Sequence, residues 1–239
     1  NFISVINVFN QIEAAKAYLF ANSEFPDSSW NTKIARDIFW EQSMHGILQE
    51  NAGVNLKDFQ NEDEFFSYLS KSAIFTAKRG DQDYYFFPIP AIDYLSHEKI
   101  KAYNLSGETV ELTPKQEDFE NHRSYQYQDL TTRGTVEFRS VCAQPFDRTF
   151  ISTAFHLGIL ANLENVQKYL QETDFFKKEG RNYKQLRQKF SKKEISRSAA
   201  THVRNFANDL IQLAIVGLVA RNNGEEIYLK NLIVKEKEE

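Results

Sequence analysis

Gly134-Thr135-Val136-Glu137-Phe138-Arg139-Ser140-Val141 alternates with a period of two. That spacing predicts a strand with Thr135, Glu137, Arg139 and Val141 on one face and Val136, Phe138 and Ser140 on the other. Two charged residues on one face of an apolar-flanked strand are costly unless the face is wet, paired or in contact with a charged ligand. As a ligand-binding face, Glu137 offers hard oxygen for Mg²⁺. Arg139, about 7 Å further along the strand, offers a bidentate fork for phosphate or carboxylate. As a solvated face, the two form one more surface ion pair, and spacing alone does not separate these readings.

The surroundings of this strand alternate between helix and sheet. Ile12, Ala15, Tyr18 and Leu19 recur at helical spacing and predict a buried helix over roughly residues 5–20, stopped by Asn22-Ser23. Phe65, Phe66 and Leu69 follow the acidic start Glu62-Asp63-Glu64 and predict a helix ending near Ser72. Ala73-Ile74-Phe75-Thr76-Ala77 and Tyr84-Tyr85-Phe86-Phe87, separated by Arg79-Gly80-Asp81, predict a hairpin. Thr113-Pro114-Lys115-Gln116 fits a capping box with Thr113 as N-cap, opening a short helix to about Arg123. Beyond Asp147 the pattern predicts helices over roughly 148–171, 181–190 and 195–221. The fold class is therefore α+β: a mixed portion over 1–147 and an all-helical portion over 148–239, packed as one structural unit.

Composition narrows the functional classes. The chain has 239 residues, 41% hydrophobic and 14% aromatic, enough for a sizeable core. A net charge of -4 supplies no field to gather nucleic acid, and the basic stretch from Lys177 to Lys193 reads as the solvated face of helices. Cys142 is the single cysteine, which excludes an internal disulfide and suits a reducing compartment; as a lone thiol it reads as packing rather than a nucleophile. His45, His97, His122, His156 and His202 show no metal-ligand spacing and read as structural or exposed. No apolar run approaches the roughly 20 residues needed to span a bilayer, so the expectation is a cytoplasmic chain without a membrane partner. Its first residue, Asn1, suggests a start partway into a longer protein.

Arg133-Gly134-Thr135-Val136-Glu137-Phe138-Arg139 resembles the glycine, apolar, Glu, apolar, Arg strand of the plant-type and bacterial glutamate-cysteine ligases. Other segments agree in the same order. Leu19-Phe20-Ala21-Asn22-Ser23-Glu24-Phe25 is similar to that family's Phe-Ala-Asn-Ser-Pro-Phe loop, with Glu24 at the proline. Arg36 and Trp40 match its Arg and Trp four residues apart, and Phe66 to Phe75 resembles its helix-to-strand passage. Glu117-Asp118-Phe119-Glu120-Asn121-His122 and the helix from His202 through Leu218 resemble its acidic-aromatic helix and closing helix. The likeness covers roughly residues 12–230, with weak stretches over 49–61 and 93–112.

The resemblance implies a glutamine synthetase-like fold, an antiparallel sheet curved into a funnel with helices behind it, here partial. It implies ATP and Mg²⁺ as cofactors and glutamate plus cysteine, or another amine, as substrates. By the match Glu137 would be a Mg²⁺ ligand, and Arg139 would neutralise the transferred phosphoryl group or a substrate carboxylate, both catalytically and as a nucleotide contact. Arg36 would clamp the glutamate α-carboxylate, Trp40 would wall that pocket, and Arg133 would be a further phosphate or carboxylate contact. The family's first portion, with further acidic metal ligands, has no counterpart here, which makes a missing N-terminal part of the same protein an expected partner. The alternatives are a ligase of the same family with another amine, a non-catalytic nucleotide- or amino-acid-binding relative and, more distantly, a non-catalytic helical interaction protein. Glu137→Gln and Arg139→Ala are expected to abolish phosphate release while leaving folding nearly unchanged.

Overall fold

The computed structural model describes residues 1–25, 29–122, 124–230 and 232, and its architecture is α+β. In chain order the helices and strands are α1 (Phe2–Gln11), α2 (Glu13–Phe20), α3 (Ala35–Gln42), β1 (Ala52–Gly53), α4 (Glu62–Leu69), β2 (Ala73–Arg79), β3 (Gln82–Pro90), α5 (Ala91–Tyr94), β4 (Ile100–Tyr103) and β5 (Thr109–Leu112). They continue with β6 (Tyr125–Gln126), β7 (Gln128–Leu130), β8 (Val136–Phe138), α6 (Thr149–Ala161), α7 (Leu163–Glu172), α8 (Asp174–Glu179), α9 (Tyr183–Phe190) and α10 (Arg197–Arg221).

Of the predicted stripe Ile12 and Ala15 are buried and Tyr18 and Leu19 half-buried, and the helix kinks at Ile12, where φ and ψ are -87° and 8° although its N–H still donates to the Val8 carbonyl at 3.1 Å. Val8, Phe9, Ile12 and Phe20 share one core with Phe155, Ile159, Val166, Leu170, Phe206, Leu210 and Leu218, so the first helices belong physically to the helical half. The main crossing in that half, α6 on α10, is made by glycines: a Cβ on Gly158 would sit 2.3 Å from the Ala214 carbonyl oxygen. Such backbone contact needs hydrogen in place of a side chain at both Gly158 and Gly217. The predicted helix over 148–171 is two helices that meet in a kink at Asn162, where φ is -122°; its Nδ2 donates to the Leu213 carbonyl at 2.9 Å. Helix α8 was not expected from the pattern.

Helix α10 has 25 residues and an 18-residue window of mean hydropathy 1.2, so by length and composition it is long and apolar enough to cross a membrane. Polar residues interrupting it, Asn205, Asn208, Asp209 and Gln212, hid that stretch from the sequence reading. Its Val203, Phe206, Leu210, Ile211, Ala214 and Leu218 are buried against α2 and α6, which is the role of a core helix.

Strands β2, β3, β4 and β5 form an antiparallel sheet in that order with its own core of Ile74, Phe86, Tyr94, Ile100 and Leu112. The predicted hairpin is β2–β3, turned at Gly80, where φ is 60°. Strands β4 and β5 fall in the 93–112 stretch, where the family likeness is weak and no strand was expected. The expected Thr113 cap is corrected: the short helical turn opens at Lys115, whose N–H donates to Asp118 Oδ2 at 2.9 Å, and spans Gln116–Asn121. Its predicted end at Arg123 lies outside the described residues.

The strand of Glu137 and Arg139 is shorter than the expected 134–141 run and lies outside the four-stranded sheet. Strand β8 pairs antiparallel with β7, placing Asp129 opposite Glu137 and Gln128 opposite Phe138. Hydrogen bonds extend the hairpin at both ends, from Thr131 N to Thr135 O at 2.8 Å and from Arg139 N to Tyr127 O at 2.9 Å. Parallel pairing of β6 with β1 adds a further strand.

Candidate functional site

The two faces of β8 differ as the alternation predicts. Phe138 stacks on Phe9 at 4.0 Å and on His156 at 5.3 Å, which anchors the hairpin to α1 and α6. On the other face, Arg139 joins two carboxylates. Its Nη2 donates to Glu137 Oε2 at 2.7 Å and its Nη1 to Asp129 Oδ2 at 3.1 Å. Nη1 also reaches the Gln126 carbonyl at 3.0 Å, and Ser124 Oγ donates to Asp129 Oδ2 at 2.7 Å. The Glu137 side chain is 48% exposed and that of Asp129 only 8%. The ion pair therefore runs from solvent into the protein, and Asp129 Oδ1 is buried with no partner.

Arg36, Asp37 and Trp40 come from α3. Its entry is fixed by Lys33 N donating to Ser191 O at 2.7 Å, which ties it to the end of α9. Trp40 packs on Tyr125 at 4.8 Å between ring centroids and on His45 at 4.6 Å. The Arg36 guanidinium lies 5.8 Å from the centre of the Tyr127 ring. Trp40 and Arg36 thus contact the same short segment, 125–127, whose carbonyls hold Arg139. The structure brings four of the five sequence-predicted residues, Arg36, Trp40, Glu137 and Arg139, around this segment. Arg133 is not among them: it is exposed in the turn closed by Thr131 and Thr135, where Gly134 takes a φ of 75°.

Arg36 Nε and Nη2 are both buried and make no hydrogen bond. Its helical neighbour Asp37 is saturated, accepting from Arg187 Nε at 2.7 Å, from Arg187 Nη2 at 3.0 Å and from the Tyr127 hydroxyl. Adjacent residues on a helix do not face each other, so Asp37 is not a partner for Arg36. An unpaired buried guanidinium N–H costs about 1–3 kcal/mol or more, which marks the site as one that gains from an anion.

Below this face lies a buried ionic cluster. Arg187 Nη1 donates to Glu13 Oε2 at 2.6 Å, Lys16 Nζ to Glu13 Oε1 at 2.6 Å, and Gln128 Nε2 also to Glu13 Oε1. Burial pushes the Glu13 carboxyl up, Lys16 and Arg187 outweigh that, and its pKa falls to about 2. Burial pulls Lys16 down despite Glu13, whereas Asp37 and Glu13 overcome burial at Arg187 and hold it well above its ordinary value. Arg187 corrects the reading of the 177–193 stretch as a solvated face, since it is 2% exposed.

Among the described residues no group of three or more His, Cys, Asp or Glu is placed to hold a metal ion. Glu137 and Asp129, the latter with its orphaned oxygen, fit a cation that takes one or two carboxylates and completes its shell with phosphate and water, as Mg²⁺ does. They do not fit a closed protein cage. Cys142 is buried with its Sγ 3.3 Å from Ser23 Oγ, in a small cluster with Ala17 and Ile34. Cavities of about 640 and 410 Å³, lined by Tyr18, Arg148 and Tyr228 and by Asn7, Asp58 and Arg181, share no residue with the hairpin face.

Asp129, Tyr127, Asp37 and Arg187 were missed by sequence reasoning. A signal existed for the first two: Tyr125-Gln126-Tyr127-Gln128 alternates aromatic and polar residues ahead of the Thr131-Thr132-Arg133-Gly134 turn, the mark of a partner strand. For Arg187 the signal was its place in the stripe of α9, at i+4 from Tyr183 with Leu186 at i+3 and Phe190 at i+7, all buried. No protein-family model matches this chain, and no curated protein matches it.

Proposed function

We propose that this chain carries part of an ATP- and Mg²⁺-dependent carboxylate–amine ligase that forms γ-glutamylcysteine from glutamate and cysteine. The observation that carries the reading is Arg36: two buried guanidinium N–H groups without a partner, over an aromatic ring, beside a charged hairpin face. A guanidinium in that state selects a carboxylate, bound by two parallel hydrogen bonds. The glutamate α-carboxylate suits Arg36, and the Trp40 and Tyr125 rings wall the aliphatic part of the substrate. Arg139 faces the phosphates, with Glu137 and Asp129 as the carboxylates toward Mg²⁺, which when bound neutralises phosphate charge.

In this scheme a γ-carboxylate oxygen of glutamate attacks the γ-phosphorus of ATP, and ADP leaves. The cysteine amine then attacks the acyl carbon, phosphate leaves with the C–O bond, and the amine proton goes to solvent. The protein's task in both steps is to hold two anions close without letting their repulsion set the barrier, which is electrostatic work for Arg36 and Arg139. A cytoplasmic setting belongs to the same proposal.

A second reading is favoured by Arg139 itself. Its guanidinium is already shared between two carboxylates and a carbonyl. A face neutralised in this way suits a relative that binds glutamate or a nucleotide without ligating. Phosphate release measured with ATP, Mg²⁺, glutamate and cysteine, alongside calorimetric titration of glutamate, separates the two. Turnover abolished by Glu137→Gln supports the ligase, glutamate binding lost in Arg36→Met without turnover supports the binding relative, and neither activity nor binding overturns both.

A further inference from the structure

We infer that Arg187 is a positioning residue: from α9 it holds Asp37 and Tyr127, and through them sets the orientation of Arg36. The functional consequence for glutamate rests on the reading of Arg36 as a carboxylate clamp, whereas the geometric consequence does not. Four bonds define the role. Arg187 grips Asp37 with Nε and Nη2 at 2.7 and 3.0 Å, Glu13 with Nη1 at 2.6 Å and the Ser140 carbonyl with Nη2 at 3.0 Å. One side chain thereby joins α2, α3 and the segment leaving β8. Its guanidinium also lies 4.6 Å from the centre of the Tyr127 ring, the ring that Arg36 covers at 5.8 Å.

Asp37 follows Arg36 directly in the first turn of an eight-residue helix. With the Asp37 carboxylate held in a planar two-point grip, the rotation of α3 about its axis is fixed, and so is the direction in which Arg36 leaves it. The Tyr127 hydroxyl donates to the same carboxylate, so the ring under Arg36 is oriented by the group that Arg187 orients. A lysine in place of Arg187 keeps one charge but cannot make the two-point contact. The inference thus differs from a purely cohesive role, in which loss of Arg187 weakens the fold without altering Arg36 in the folded state.

The test compares wild type, Arg187→Lys and Tyr127→Phe, all kept well below their unfolding midpoints. Each arginine is labelled with phenylglyoxal and the sites are quantified by peptide mass spectrometry. Arg133, exposed in its turn, is the internal standard. In Arg187→Lys, Arg36 is expected to label faster relative to Arg133 by roughly tenfold, the scale of one lost charge-assisted hydrogen bond. Tyr127→Phe, which removes one hydroxyl and keeps the ring, should give a smaller change in the same direction, and it carries the test if Arg187→Lys does not fold. An unchanged Arg36-to-Arg133 ratio in the folded variants overturns the inference, whatever their stability. Glutamate titration is run in parallel. A weakened affinity that tracks the labelling extends the inference to substrate. Accelerated labelling in a protein whose wild type binds no glutamate leaves Arg187 as the positioner of Arg36 and removes the ligase reading.

Discussion

His156 makes the stability of this chain depend on pH in a way that one substitution can isolate. The side chain lies on α6 against Phe138, Phe9 and Phe155, and its Nε2 is buried without a partner. Burial, reinforced by the Lys16 ammonium, lowers its pKa from 6.5 to about 3. An imidazole held neutral in the folded state contributes no penalty above its unfolded pKa. Below about 6.5 the unfolded chain takes up a proton that the folded chain refuses, so stability falls as pH falls, by about 1.4 kcal/mol per pH unit for this group. Between pH 7.5 and pH 5.0 the integrated loss is about 2 kcal/mol, and it keeps that size for any folded pKa well under 5. His156→Leu removes the titration, while its lost ring contacts add a cost that does not depend on pH. In urea unfolding, with a slope near 3 kcal/mol per molar, the gap between wild-type and variant midpoints should shift in favour of the variant by about 0.7 M from pH 7.5 to pH 5.0. A gap that stays constant across that range would refute the assignment of a neutral, desolvated imidazole.

Three further substitutions probe packing and charge, each read by chemical denaturation. Glu137→Gln should change stability by about 0–1 kcal/mol, because its pair with Arg139 is half in solvent. Arg139→Ala should cost about 1–3 kcal/mol, because it strips the cation from an Asp129 carboxylate that is 8% exposed; equal costs for the two variants would contradict the geometry. This revises the sequence-based expectation that both substitutions leave folding nearly unchanged. Gly158→Ala should destabilise by about 1–3 kcal/mol, since the added methyl meets the Ala214 carbonyl oxygen at 2.3 Å and α6 and α10 must separate. A neutral Gly158→Ala would mean that the crossing is looser than its glycines indicate.

What could be read from the sequence follows from how far apart the interacting residues are. Helices α1, α2, α4, α9 and α10 and the β2–β3 hairpin declare themselves through periodicity and turn residues within windows of about a dozen residues. So does the division of β8 into an apolar, half-buried Phe138 face and a charged Glu137–Arg139 face. Strands β4 and β5 failed because Ile100-Lys101-Ala102-Tyr103 is too short for a period to stand out, and its partner across the sheet supplies the missing constraint. The length expected for β8 failed for the converse reason: alternation continues through Val141, but partner residues are in register only from Gln128 to Leu130. Periodicity reports which way side chains point, and pairing reports where a strand ends.

The candidate site shows the same limit more sharply. Glu137 and Arg139 are two residues apart and visible together, whereas Asp129, which turns their pair into a three-membered chain leading inward, enters only through hairpin register. Arg187 is separated from Asp37 by 150 positions and from Glu13 by 174, and it sat within a lysine-rich helix whose local reading was solvent. Its place at i+4 in the stripe of Tyr183, Leu186 and Phe190 put it on the buried face, but whether a charge stays there is decided by whether opposite charges from other elements converge on it. Here they do, from α2 and α3 at once, and Arg36 is left as the unpaired cation beside a fully satisfied anion. The same convergence that buries Arg187 leaves the Arg36 guanidinium without an anion of its own.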